Sequence, residues 1–139
     1  FGRKDFQQLA VIEQMTRDLD FPVEIIAHPI VREADGLAMS SRNSYLDQEE
    51  RSQATCLVEG LRLARSLYRQ GEKRCSRIVA AVGDLLERYP LARAEYISLV
   101  DRHTLASREV ADSNTILALA VRIGRTRLID NIILNDEDL

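Results

Sequence analysis

Two short segments hold the side chains best suited to chemistry. Gly2-Arg3-Lys4-Asp5 combines a glycine that lets a ligand approach the backbone, a lysine point charge and the expected start of a helix. Free N–H groups and the positive end of the helix dipole at such a start suit a nucleotide. Met39-Ser40-Ser41-Arg42-Asn43 sets two hydroxyls beside a guanidinium. Arginine grips phosphate oxygens in pairs and serines add short hydrogen bonds, so this loop suits a polyphosphate. Each segment also has a plain structural reading. Asp5 is an ordinary helix cap and Lys4 a surface charge, while a serine-rich run equally fits a polar linker whose serine caps a helical turn. His28 and His103 stand alone, with no acid and nucleophile at motif spacing, and receive no catalytic role.

The elements that would position these segments follow from apolar spacing. Asp5 and Gln8 form a capping-box pattern ahead of a helix whose Leu9, Ile12, Met15 and Leu19 fall on one arc. Gln8 lies near the middle of that arc, where an amide needs a core partner or a ligand. After Pro22, residues 23–27 read as a short strand. Periodicity then disappears from Pro29 to Tyr45. Asp47 and Glu50 repeat the capping box and open one long helix to about Gln70, with Gly71 as its stop. Cys75, Ile78, Val79, Val82, Leu85, Leu86 and Tyr89 define the next helix, ended by Pro90. Strands are expected over 95–100, 115–122 and 127–134, the last two joined by a glycine-containing turn at Gly124-Arg125-Thr126. The middle strand is apolar on both faces and should lie centrally. The fold class is therefore α+β: two main helices on a small, mostly antiparallel three-stranded sheet.

Composition narrows the range of partners. The chain is 45% hydrophobic and 29% charged, as globular proteins are, with 19 basic and 22 acidic residues giving a net charge of -3. Such a balance offers no general attraction to nucleic acid or an anionic membrane, so any anion site must be local. Arg62, Arg65, Arg69 and Arg74 read as a solvated helix surface, since no aromatics interleave with them. The longest apolar run, residues 116–121, is too short to span a bilayer. No leader pattern is visible, which makes the cytoplasm the expected location. Cys56 and Cys75 should be reduced and buried; they form no metal cluster.

Several stretches resemble the pantothenate synthetase family. Residues 1–8, Phe-Gly-Arg-Lys-Asp-Phe-Gln-Gln, are similar to that family's FGEKDxQQ segment, and residues 31–43 match its VREADGLAMSSRN segment. Residues 122–131 resemble its ending, so the likeness runs along essentially the whole chain. The resemblance implies a nucleotidyltransferase related to class I aminoacyl-tRNA synthetases. It would join pantoate and β-alanine through a pantoyl adenylate, using ATP and Mg²⁺ and releasing pyrophosphate and AMP. By the same resemblance, Gly2, Arg3, Lys4 and Asp5 line the ATP site, Lys4 on the phosphates, Gly2 and Asp5 on the ribose. Gln8 binds a pantoate oxygen and Val31 meets the adenine. Met39, Ser40, Ser41 and Arg42 correspond to a KMSKS-like phosphate loop, and Lys4, Ser40, Ser41 and Arg42 are the residues implied in catalysis. No protein ligand for the metal is implied.

The resemblance also sets an expected organisation. Residues 1–30 would be a remnant of a Rossmann-like nucleotide-binding domain, contributing its last helix and strand. Residues 31–46 would form the hinge and phosphate loop, and residues 47–139 a C-terminal lid. The family's HxGH motif does not occur in this sequence, and the first residue is Phe1 with a candidate site almost at the terminus. The expectation is thus a C-terminal half, inactive and monomeric by itself, because the family's homodimer forms mainly through the other half. The alternative is a self-standing binding module that keeps the fold without the chemistry. Arg3 replaces the family's usual acidic residue, and His28 and Ile30 also depart from its pattern; altered local charge, with the site retained, is the expected effect of Arg3.

Overall fold

Apolar side chains at alternate positions and at helical spacing meet in one layer between a sheet and two helices. The computed structural model describes residues 1–136. Strands β1 (Ala92–Asp101), β2 (Thr115–Ile123) and β3 (Thr126–Ile133) form an antiparallel sheet in the order β1-β2-β3. Helices α3 (Cys56–Arg69) and α4 (Cys75–Leu86) pack together against it. Leu57, Leu61, Ile78 and Val82 from the helices meet Leu117, Leu119, Val121 and Ile123 from β2, all buried. Burying each large side chain of this kind contributes about 1.5–3 kcal/mol. The expected α+β class and the central position of β2 hold. No helix among the described residues is long and apolar enough to cross a membrane.

Three local expectations are corrected. The single helix expected from Asp47 to Gln70 is two, α2 (Gln48–Gln53) and α3, separated at Ala54-Thr55. The capping box at Asp47 and Glu50 forms as expected. Downstream of it, however, the Ser52 hydroxyl donates to the Glu49 carbonyl at 2.7 Å and the Thr55 hydroxyl to the Ser52 carbonyl at 3.1 Å. Such side-chain bonds compete with the helical ladder, and the break lets Ala54 sink fully into the core.

The strand expected over 23–27 is an extended segment instead. Among the described residues its pairing amounts to one bond from the Phe1 ammonium to the Ile26 carbonyl at 2.9 Å and the single parallel bridge just beyond it, between Gly2 and His28. A strand requires a neighbour along its length, and here pairing stops after the amide of Arg3 donates to the His28 carbonyl and that of His28 to the Phe1 carbonyl. Asp5, thirdly, makes no capping bond. Residues Arg3–Asp5 form a 3-10 turn that runs straight into α1 (Phe6–Asp18), so Asp5 lacks the extended backbone a cap needs. Of the arc expected to be buried on α1, only Leu9 is; Met15 is 41% and Leu19 58% exposed. The described residues leave most of that face open.

The β2–β3 turn needs its glycine. Gly124 has φ +54°, and a Cβ there would fall 1.8 Å from Glu50 Oε1, the side chain that closes the α2 capping box. Burial also governs the cysteines. Cys56 is fully buried, and desolvation, reinforced by Glu59, pushes its thiol up to about 12. At pH 8 only about one thiol in ten thousand would then be thiolate, the reactive form. Ellman's reagent should label Cys56 in the native protein only as fast as the protein unfolds. Rapid labelling without denaturant would contradict this burial.

Candidate active site

The segment that follows the extended stretch is closed on itself before it presents any side chain. The amide of Met39 donates to the Val31 carbonyl at 2.9 Å, that of Glu33 to the Leu37 carbonyl and that of Gly36 to the Glu33 carbonyl, both at 2.8 Å. Gly36 turns the chain with φ +92° against Val58, whose Cγ2 would stand 3.3 Å from any added Cβ. Arg51 donates to Glu33 and Asp35, and Asn43 donates through Nδ2 to Glu33 at 2.6 Å and to the Ala38 carbonyl at 3.2 Å. Residues 31–46 are therefore a braced loop, more structured than the loss of periodicity implied. Ser40 opens a 3-10 turn over Ser41–Tyr45, accepting from the Arg42 amide at 3.2 Å. The capping role of a serine is thus realised, yet the Ser40 hydroxyl keeps its own proton for another acceptor.

Two contacts bring the sequence-predicted segments together. Lys4 Nζ donates to the Met39 carbonyl at 2.9 Å, with the Ala38 carbonyl at 3.5 Å. Asn131 on β3 donates through Nδ2 to the carbonyls of Arg3 and Lys4, at 3.0 and 2.8 Å. The result is a cleft of about 320 Å³ lined by Lys4, Asp5, Met39, Ser40, Arg42 and the β3 residues Arg127, Leu128 and Ile129. A second cleft of about 480 Å³, sharing Lys4, Asp5, Arg127 and Ile129, runs on past Gln8 beneath Tyr96 and Ser98 of β1. Gln8 is exposed there and does not sit in a packed arc.

The remaining predicted residues lie at the margins. Arg3 turns away to Asp136, 3.2 Å from Nη1. Val31 is exposed, and its carbonyl is taken by Met39. Gly2 faces open space, with nothing within 4 Å of where a Cβ would stand; its own chain does not require a glycine, whereas a closely approaching ligand would. Ser41 lies in the 3-10 turn, its carbonyl accepting from the Ser44 hydroxyl.

Electrostatically the cleft floor is balanced and its walls are cationic. Asp130, almost wholly buried on β3, accepts both Nη groups of Arg32 at 2.7 and 3.0 Å. Burial raises the Asp130 carboxyl above its ordinary value, opposed by the Arg32 guanidinium. Lys4, half-buried, is lowered by desolvation, with Asp130 and Asp5 pulling it back up and Arg42 and Arg32 pressing it further down. An incoming anion would relieve that crowding of cations. Arg127, Asp130 and Asn131 line the longer cleft, with Arg32 behind Asp130, and the sequence-based reading singles out none of them. The signal available is a run of polar residues on the otherwise apolar β3.

A cleft walled by lysine and arginine, with a serine hydroxyl beside it, has the chemistry to receive an anion such as a phosphate. The chain carrying it belongs to the pantoate-beta-alanine ligase family, whose model matches residues 1–133. It is 52% identical over 136 residues to the pantothenate synthetase of Trichlorobacter lovleyi, covering 98% of this chain and 48% of that protein. The pantothenate synthetase of Syntrophotalea carbinolica is 53% identical over 131 residues, 94% of this chain and 46% of that protein. The solved pantothenate synthetase of Thermus thermophilus matches with a TM-score of 0.91 at 39% identity, over 98% of this chain and 49% of that one. The pantoate-beta-alanine ligase of Francisella tularensis, complexed with beta-gamma ATP and beta-alanine, matches with a TM-score of 0.64 at 25% identity, over 99% of this chain and 44% of that one. The chain spans about half the length of the curated relatives it matches.

The buried pair joining loop to sheet makes a stability prediction. Asp130→Asn should destabilise the protein by about 3–5 kcal/mol, because it strands the Arg32 charge. Arg32→Met with Asp130→Leu should recover most of that loss. Urea midpoints of the single and double variants measure both, and a double-variant loss equal to the sum of the two single losses would show that the pair is uncoupled.

Proposed function

We propose that this chain forms the C-terminal half of an ATP-dependent ligase that condenses pantoate with β-alanine. In this reading residues 1–30 complete a nucleotide-binding domain, 31–46 are its phosphate loop and 47–139 its lid. The observation that carries the reading is the 2.9 Å bond from Lys4 to the Met39 carbonyl. It holds two segments, more than thirty residues apart, around one cationic cleft.

The chemistry asks little covalent help from the protein. A pantoate carboxylate oxygen attacks the α-phosphorus of ATP and pyrophosphate leaves; the β-alanine amine then attacks the acyl carbon and AMP leaves. Aligning the anions and neutralising charge on the leaving pyrophosphate supply most of the acceleration. Lys4 and Arg42 would hold the phosphates by charge, Ser40 and Ser41 by hydroxyl donation. Gly2 and Asp5 would take the ribose, and Gln8, open to the longer cleft, a pantoate oxygen. Val31 would meet the adenine through its backbone, whose carbonyl also accepts from the Met39 amide. Among the described residues no group of three or more His, Cys, Asp or Glu side chains could hold a metal ion. Mg²⁺ would arrive on the ATP phosphates, where it would add charge neutralisation. The same reading assigns the protein to the cytoplasm and takes the chain alone to be a monomer.

Pantothenate formation from pantoate, β-alanine and ATP tests the reading. The longer protein carrying this sequence should turn over, and residues 1–139 alone should not. Turnover by the shorter chain near the longer protein's rate would overturn the claim that it holds only part of the site. Arg42→Ala in the longer protein should lower turnover by roughly tenfold to a thousandfold with little change in stability; unaltered turnover would return Arg42 to the role of a linker residue. Gln8→Ala should raise the apparent KM for pantoate and leave that for ATP nearly unchanged.

A further inference from the structure

Arg127 lies directly across the ladder from Arg122, next to the turn. Like charges opposite each other weaken a sheet unless something else compensates. Here one carboxylate serves both. Glu95 Oε1 accepts from Arg122 Nη2 at 2.5 Å and Glu95 Oε2 from Arg127 Nε at 2.6 Å. The three side chains together still carry a net positive charge. Arg127 is also the only one of them that lines the two clefts, and in the shorter cleft it faces Lys4, Ser40 and Arg42. Its guanidinium stands over the Tyr96 ring, 6.0 Å from the centroid, which limits the side chain's freedom on that side. Engaging Arg127 through Nε, with Tyr96 as a further neighbour of the guanidinium, leaves Nη protons of the fork for another acceptor.

We infer that Arg127 is a third phosphate-binding cation, donated by the lid sheet to the β,γ-phosphates of ATP, and that Glu95 is a positioning residue that aims it. The inference rests on the ATP-binding part of the proposed function. In that arrangement Lys4 and Arg42 approach the polyphosphate from one wall of the cleft and Arg127 from the strand opposite. The excess positive charge retained on the sheet is then matched when the nucleotide arrives.

Calorimetric titration of the longer protein with β,γ-methylene ATP and with AMP separates the roles. Arg127→Gln should weaken the ATP analogue by about tenfold to a hundredfold, the loss expected for charge-assisted bonds. AMP, which lacks the β,γ-phosphates, should bind within about twofold of the unaltered protein, and Arg127→Lys should restore part of the lost affinity. Glu95→Gln should shift the analogue in the same direction by a smaller factor, because the guanidinium remains but is no longer fixed. An unchanged urea midpoint for Arg127→Lys guards against a folding defect. Equal weakening of both nucleotides, or of neither, would overturn the assignment. If the unaltered protein binds both nucleotides but forms no pantothenate, the ligase reading fails while the Arg127 assignment is still decided.

Discussion

A carboxylate taken out of water must meet a cation or lose its charge. Among the described residues of this protein the most deeply buried carboxylate is Asp130, and the cation that meets it, Arg32, comes from a loop 98 residues away. That bidentate pair ties the loop to β3. The neighbouring Asn131 ties β3 to the backbone of Arg3 and Lys4, and Lys4 closes the circuit by binding the Met39 carbonyl. Three separate parts of the chain are thus fixed to one another through two adjacent strand residues. The cleft is what they enclose. A hydrophobic replacement could hold these parts together as tightly, but it could not set the charge of the cleft floor.

That arrangement explains what is legible in the sequence and what is not. Helical and alternating patterns mark α3, α4 and the three strands because each depends on its own neighbours along the chain. Residue type and resemblance single out two segments, and Lys4, Asp5, Met39, Ser40 and Arg42 from them do share a cleft. Arg32 lies inside the segment recognised for its likeness, yet nothing local marks it as the partner of Asp130. Their pairing is set by the fold of α3 and α4 against the sheet. Arg127 is likewise hidden, since a charged residue on a strand reads as solvent-facing until the opposite wall is seen. The break at Ala54-Thr55 escapes the sequence for a different reason. Serine and threonine bonds to their own backbone disturb a helix without disturbing its apolar period.

Exposure along α1 completes the account. Leu9 is buried, while Val11, Met15 and Leu19 are open, as are Phe21, Val23 and Ile26 in the segment that follows. The helix presents Gln8 toward the cleft because its first turn is held by Asn131 and by the Gly2–His28 bridge.

The hairpin turn at Gly124 has a consequence for how this sequence can drift. Surface turns are ordinarily where chains gain and lose residues most freely. This one presses on Glu50, whose carboxylate closes the cap of α2, and α2 begins immediately after the loop that carries Ser40 and Arg42. A residue inserted between β2 and β3 would displace that cap and, through it, the downstream anchor of the loop. The length of the turn should therefore be as tightly kept among functional descendants as any residue lining the cleft, although the turn itself touches no substrate.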